Sequence, residues 1–177
     1  MSCGFLSYSF NGESYYIIAT GDEKLSRLSI RCDSPPTKET DTLMMSMAEM
    51  AKKWICEGSC SEADIELDAS PFQRKVLETT CRIPKGFVST YYDVGKTIGC
   101  SGYRAVGNAL HKNPISLFIP CHRVVKKDGS IGGYETGSDL KRHILLKEGI
   151  KFDEGKVIAE QIIGWRELKD RRALCPF

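Results

Sequence analysis

YYDVGKTIGCSGYRAVGNALHK, residues 91–112, is the stretch on which the fold turns. YYDVGKTI reads as a short helix, with Gly99 as its stop. Ser101 suits the N-cap of a second helix, whose apolar residues fall at Tyr103, Val106, Ala109 and Leu110. Helix, glycine turn, helix is the helix-turn-helix pattern. The second helix sets the small residues Ala105, Gly107 and Ala109 beside Arg104. Small side chains let a backbone approach a partner closely, and an arginine supplies charge or a wedge. Two packed core helices are the plain alternative.

Charge favours the first reading. Residues 79–127 hold 8 Lys/Arg against one acid, Asp93, a net of +7, although the whole chain carries only +2. Residues 1–78 hold 8 Lys/Arg and 13 Asp/Glu, a net of −5, and residues 128–177 hold 9 of each. A basic segment inside a near-neutral chain is a footprint for a polyanion.

Upstream, FLSYSF and SYYIIAT flank Asn11-Gly12, a hairpin signal, and LSRLSIRC follows as a third strand. From Asp41, apolar residues at Leu43, Met44, Met47, Met50, Ala51, Trp54 and Ile55 have the spacing of an amphipathic helix, stopped at Gly58. Ser70-Pro71 opens a helix running to about Cys81, with Gln73 as the reciprocal partner of a capping box. These signals divide the chain into 1–66, a small antiparallel sheet with a helix, and 70–177, a mainly helical domain. Downstream, VVKKDGSIGGY reads as two short strands around Asp128-Gly129. Ser138 caps a helix stopped by Gly149, and a weak helix falls near 156–163.

The 177 residues are 41% apolar and 27% charged, as in an ordinary soluble globular protein. No apolar run is long enough for a bilayer, and MSCGFLSYSFNGES lacks a secretion pattern, so a cytoplasmic location is expected. The eight cysteines form no CxxC pair. They are expected to be mostly reduced and buried, with a Cys56–Cys60 bridge disfavoured.

One cysteine differs in its setting. IPCHRVV, residues 119–125, puts Cys121 between Pro120 and His122, inside the basic segment and downstream of Asn113-Pro114. A thiol becomes a nucleophile beside a base or in a positive field. His122 can take the proton through a water, with a carboxylate such as Glu148 fixing its tautomer. A packed core thiol, a Cys-His-Glu hydrolase and a non-enzymatic DNA-binding module are the competing readings.

Pro120-Cys121-His122-Arg123-Val124 resembles the active-site motif of the alkylguanine-DNA alkyltransferases, the methylated-DNA–protein-cysteine S-methyltransferases. STYYDVGKTIG, YRAVGNALHKNPI, IPCHRVV, GGY and LLKEG follow in that family's order over about residues 71–150. Residues 1–66 resemble its variable N-terminal domain in pattern only. The resemblance implies an α+β fold, with a ribonuclease H-like N-terminal sheet and helix and a winged-helix-like C-terminal domain. It implies a DNA repair protein that flips O6-methylguanine, and O4-methylthymine, out of double-stranded DNA. The alkyl group then passes irreversibly to Cys121, one lesion per chain.

Residue roles follow from the same resemblance. Cys121 is the acceptor, His122 and Glu148 serve the thiol proton, Asn113 holds the active-site turn, and Tyr91 assists guanine departure. Arg104 is the finger filling the gap left by the flipped base. Arg104, Tyr91, Tyr92, Ser101, Gln73, Arg123 and Lys127 are expected on DNA, bound through the minor groove. Main-chain groups of Cys121, Val124 and Glu135 read the guanine edge, and Tyr134 walls the pocket. Glu135-Thr136 stand where many relatives carry small residues. No cofactor is implied, and no histidine precedes His111 to complete the N-terminal zinc site of some relatives. A monomer acting away from membranes is expected.

Overall fold

The computed structural model describes residues 2–32, 41–57, 65–134 and 137–173, in two units. The first unit is a meander of β1 (Ser2–Phe10), β2 (Glu13–Gly21) and β3 (Leu25–Arg31), antiparallel in the order β1-β2-β3, with α1 (Thr42–Glu57) packed on it. Asn11 and Gly12 have φ of 52° and 79°, the paired positive values that a two-residue hairpin turn requires. Alternate residues of β2, Tyr15, Ile17 and Ala19, are buried, and Met44, Met47, Ala48, Ala51 and Ile55 of α1 are buried too. Asp41 caps α1 by accepting from the amides of Leu43 and Met44 at 2.9 and 3.2 Å. Gly4 permits the close approach: a Cβ there would lie 2.2 Å from the Met44 backbone. Gly58 and Cys60 lie outside the described residues, so the helix stop and the disfavoured bridge do too.

The unit boundary falls between Asp68 and Ala69, but Pro114–Phe118 group with the first unit. The reason is backbone pairing along β3. Leu28 donates to Pro114 O at 2.7 Å, and Ser116 donates back to Leu28 O at 3.0 Å.

The second unit begins with α2 (Pro71–Thr80). Ser70 Oγ accepts from the Gln73 amide at 3.3 Å, so half of the expected capping box forms. The Gln73 side chain does not return to Ser70. β4 (Val88–Thr90) leads directly into α3 (Tyr91–Thr97), then α4 (Tyr103–His111). Gly99 (φ 72°) donates to Lys96 O, and Cys100 donates to Gly95 O at 2.8 Å, the two bonds of a Schellman stop. A Cβ at Gly95 would sit 2.9 Å from Cys100 O, which is why this tight turn between helices takes a glycine there. Ser101 does not cap α4; the N-cap is Gly102, with no side-chain bond, because the chain turns one residue later than expected.

A 3₁₀ turn at Cys121–Arg123 leads into β5 (Val124–Val125) and, further on, α5 (Ser138–Lys147). Its N-cap is Gly137 rather than Ser138. A second Schellman stop ends α5: Gly149 donates to Leu146 O and Ile150 to Leu145 O, both at 3.0 Å. The weak helix near 156–163 is corrected. That stretch holds β7 (Lys156–Val157), paired with β6 (Phe152–Asp153), then a 3₁₀ turn and β8 (Ile162–Ile163); α6 (Trp165–Asp170) comes later. Of the two strands expected around Asp128-Gly129, only β5 forms, and Ser130 makes a single bridge to Lys156. β5, β4 and β8 form a parallel sheet over a core of Val88, Val125, Leu145, Ile150 and Val157. The second unit is therefore less purely helical than its sequence suggests.

Candidate active site

Cys121 opens the 3₁₀ turn and is half-buried. The turn is held from several sides. The Cys121 amide donates to Ile119 O at 2.7 Å and Arg123 to Pro120 O at 2.9 Å. Asn113, itself buried, donates from Nδ2 to Ile119 O at 3.0 Å, tying the end of α4 to the residue two before the thiol.

His122 points inward and is fully buried. Its Nε2 lies 3.0 Å from Glu148 Oε1. Arg123 meets the same carboxylate with two bonds, Nε to Oε2 at 2.8 Å and Nη2 to Oε1 at 2.7 Å, and Nη1 donates to Ile83 O at 2.8 Å. The Schellman stop after α5 delivers Glu148 to this position as the helix C-cap. Burial works against the Glu148 charge, but His122 and Arg123 outweigh it and hold the carboxyl far below the usual carboxylate range. Burial also pulls His122 down, against the pull of Glu148, so the imidazole is neutral at pH 7. An ionised Glu148 accepts only from a protonated Nε2, which puts the ring's basic lone pair on Nδ1.

Tyr91 begins α3, where Thr90 caps the helix through its hydroxyl. Its ring runs along Gly132: a Cβ there would lie 2.7 Å from the Tyr91 hydroxyl and 2.9 Å from Cε2. Gly107 of α4 faces Tyr91 Cε1 at 4.0 Å from its own ideal Cβ. Burial, and then a charge on Cys121, raises the phenol, so it remains a proton donor near the sulfur. Lys141, on the buried face of α5, donates from Nζ to Val124 O at 2.6 Å. The cluster thus gathers a thiol, a phenol, a neutral imidazole anchored by a carboxylate, and an ammonium. That set suits nucleophilic attack by sulfur with proton delivery to a leaving group.

Beside it, Arg104, Ala105 and Asn108 of α4 are exposed, as are Ser101 and Lys127. The Tyr92 and Tyr103 rings meet at a tilt of 53° with centroids 5.1 Å apart, and the Lys127 ammonium sits 4.9 Å over Tyr92. Ser101 lines an open groove of about 510 Å³ between the start of α2 and the α3–α4 turn, with Phe72 and Cys100.

Two of the residues expected on DNA have partners within the protein. Arg123 is buried with its guanidinium committed to Glu148 and Ile83, so it serves the site from within. Gln73 spends its amide on α4, donating to Ala109 O at 3.3 Å and Lys112 O at 2.9 Å. Tyr134 is half-buried, Val124 is buried, and Glu135 lies outside the described residues. Lys141 is the buried side chain of this cluster that the sequence reading missed. Its signal was present: Lys141, Ile144, Leu145 and Glu148 share one helix face, and a lysine in an apolar stripe asks for a partner.

Residues 71–150 match the family described as 6-O-methylguanine DNA methyltransferase, DNA binding domain. A methylated-DNA–protein-cysteine methyltransferase of Saccharolobus islandicus is 50% identical over 90 residues, covering 51% of this chain and 58% of that protein. One from Methanothermobacter thermautotrophicus is 41% identical over 96 residues, covering 54% and 49%. The chain thus spans about half the length of the curated relatives it matches. Among solved structures, Mycobacterium tuberculosis OGT in complex with DNA superposes with a TM-score of 0.71 at 27% identity, covering 84% of this chain and 92% of that one. The O6-methylguanine-DNA methyltransferase of Pyrococcus kodakaraensis shares the fold, with a TM-score of 0.57 at 22% identity, covering 84% and 99%.

Proposed function

We propose, on the premise that residues 71–150 belong to the 6-O-methylguanine DNA methyltransferase family, that the chain repairs O6-methylguanine in double-stranded DNA by moving the methyl group to Cys121. The observation that carries the proposal is the half-buried Cys121 next to the His122–Glu148–Arg123 cluster, with the Tyr91 phenol nearby. O4-methylthymine is the second substrate of the reading.

The lesion's alkyl carbon is shielded inside a stacked duplex, so the base is flipped out before reaction. Arg104, exposed at the start of α4 among small residues, fills the gap from the minor groove. His122 Nδ1 takes the thiol proton through a water. The sulfur then forms a bond to the methyl carbon, the carbon–O6 bond breaks, and the electron pair leaves with guanine, which receives a proton from Tyr91. Asn113 keeps Cys121 in place for attack, and main-chain groups of Cys121, Val124 and Glu135 read the guanine edge. A thioether does not hydrolyse, so each chain reacts once. The reading includes a monomer acting in the cytoplasm without a cofactor, a ribonuclease H-like first unit and a winged-helix-like second unit.

The test is intact mass after incubation with a methylguanine duplex. The expected result is a gain of about 14 Da on the peptide holding Cys121, saturating at one per chain, because displacement adds one methylene and has no return step. Turnover by sub-stoichiometric protein, or an unmodified Cys121 with the lesion gone, refutes the mechanism.

A further inference from the structure

Asp93 is the one acid among residues 79–127, where 8 Lys/Arg stand. A carboxylate in a segment suited to a polyanion weakens the attraction, so its place needs a reason. Its bonds supply one. Asp93 is the third residue of α3, two after Tyr91. Its Oδ2 accepts from the Thr90 hydroxyl, and the same hydroxyl accepts from the Asp93 amide at 3.1 Å, so the first turn is closed on itself. Its Oδ1 accepts from the Trp165 amide at 3.1 Å. Trp165 opens α6, whose N-cap is Gly164 with no side chain to offer. The first amides of a helix have no partner within it. Asp93 therefore caps α6 from outside while it closes the start of α3.

The junction is reinforced on either side. Upstream, β4 runs into α3 without a break, and Val88 and Ser89 pair with Ile162 and Ile163 of β8. The buried Ser89 hydroxyl donates to Ile163 O at 2.8 Å. Downstream, the Thr97 hydroxyl donates to Asp93 O at 2.8 Å and reaches Trp165 O at 3.4 Å. Arg82 holds the far end of α6 through Lys169 O at 3.0 Å, and Leu168 is fully buried. The partners in β8 and α6 lie past the stretch 71–150 that carries the family match. Tyr91 is the first residue of the helix so fastened, and its ring runs along Gly132 with no room there for a Cβ. Where the ring lies thus depends on where the first turn of α3 is held.

We propose that Asp93 is a positioning residue for methyl transfer: its carboxylate clamps the first turn of α3 to α6, so that residues 162–169 hold the Tyr91 phenol in place. The clamp stands on its own bonds; its consequence for repair rests on the function proposed above, in which Tyr91 gives its proton to the departing guanine. Asp93 touches neither base nor sulfur in this role and acts only through the tyrosine two residues before it.

The experiment compares two alkylations of Cys121 in the full chain, both read by mass on the Cys121 peptide: methyl transfer from a methylguanine duplex, and labelling by iodoacetamide. Iodide leaves as a stable anion and takes no proton, so only the first reaction needs Tyr91. Asp93→Ala keeps the amide that Thr90 caps and removes the carboxylate alone. It should slow methyl transfer about tenfold or more, because an aligned general acid contributes about 10²-fold or more, and leave iodoacetamide labelling unchanged. In a Tyr91→Phe background, Asp93→Ala should slow transfer no further, since a residue that acts through the phenol has nothing left to place. Equal slowing of both reactions, slowing of neither, or additive losses overturn the proposal. Should Asp93→Ala fail to melt cooperatively, Thr90→Val, which removes the hydroxyl that holds the carboxylate, is read against the same outcomes. Hydrogen exchange needs no DNA and reads the clamp by itself: the peptide spanning 91–97 should exchange faster in Asp93→Ala than in wild type. A wild-type Cys121 that takes iodoacetamide but no methyl group from the duplex would sink the repair reading. In that case faster exchange keeps the clamp, and unchanged exchange overturns it.

Discussion

Replacing Glu148 by Gln changes one atom and removes one charge, and the structure sets what that costs. The Glu148 side chain is 1% exposed and accepts both Arg123 bonds, at 2.7 and 2.8 Å. Gln keeps the shape but leaves Arg123 buried with no counter-charge. Breaking such a pair from one side costs about 3–5 kcal/mol. For a unit of this size, about 3 kcal/mol lowers Tm by more than about 12 °C. Differential scanning calorimetry of wild type and Glu148→Gln measures it directly. pH supplies an independent reading. Glu148 is depressed in the folded state, so its contribution is present above the unfolded carboxyl value of about 4.3 and is lost as pH falls through the lower folded value. His122 is also depressed, so the unfolded chain binds its proton first, and stability declines once pH drops below about 6.5. Glu148→Gln should lose the carboxylate part of this acid slope. Pairing it with Arg123→Met should recover at least half of the lost stability, because the stranded cation is gone. A single-variant cost below about 1 kcal/mol, the level of an exposed pair, would refute the reasoning.

Gly132→Ala should leave the fold intact by far-ultraviolet circular dichroism but slow labelling of Cys121 by methylguanine DNA, because its Cβ would fall 2.7 Å from the Tyr91 hydroxyl and turn the ring aside; an unchanged rate would mean that the Tyr91 position is irrelevant to transfer. Arg104→Ala should slow repair of duplex DNA far more than reaction with free alkylguanine base, since the free base needs no flipping and unstacking costs a few kcal/mol. Equal slowing in the single-turnover assay would assign Arg104 to chemistry or folding instead.

Much of this architecture is written locally and could be read there. The Asn11-Gly12 turn, the apolar spacing of α1, the Ser70-Pro71 start of α2 and the Gly99 and Gly149 stops each depend on a few neighbouring residues. What was not legible is what depends on distant partners. β4, β5 and β8 are two or three residues long and exist as strands only because Ser89 pairs with both Val124 and Ile163. Nothing within a run of two residues reveals that. The same limit applies to the site. Cys121-His122 stands out in the chain, but Arg123 reads as a DNA-binding cation until Glu148, 25 residues away, is seen to hold it. The bonds of Lys141 and Gln73 were not legible for the same reason: their acceptors are carbonyls, and every residue offers one of those.

The grip of Gln73 on α4 has a mechanical side. α4 is nine residues long, about 13 Å, and its last carbonyls are clamped to α2 by one side-chain amide. Its first turn starts at an uncapped Gly102 and carries Arg104. The helix also packs against α3 and buries Val106 in its first turn, so it is supported along its length as well as at its C-terminal end. At that C-terminal end the carbonyls that would otherwise fray are bonded to Gln73 of α2. In the flipping step proposed above, a short helix backed in this way would present Arg104 to the stacked bases from a firm footing, with a glutamine of α2 holding its far end.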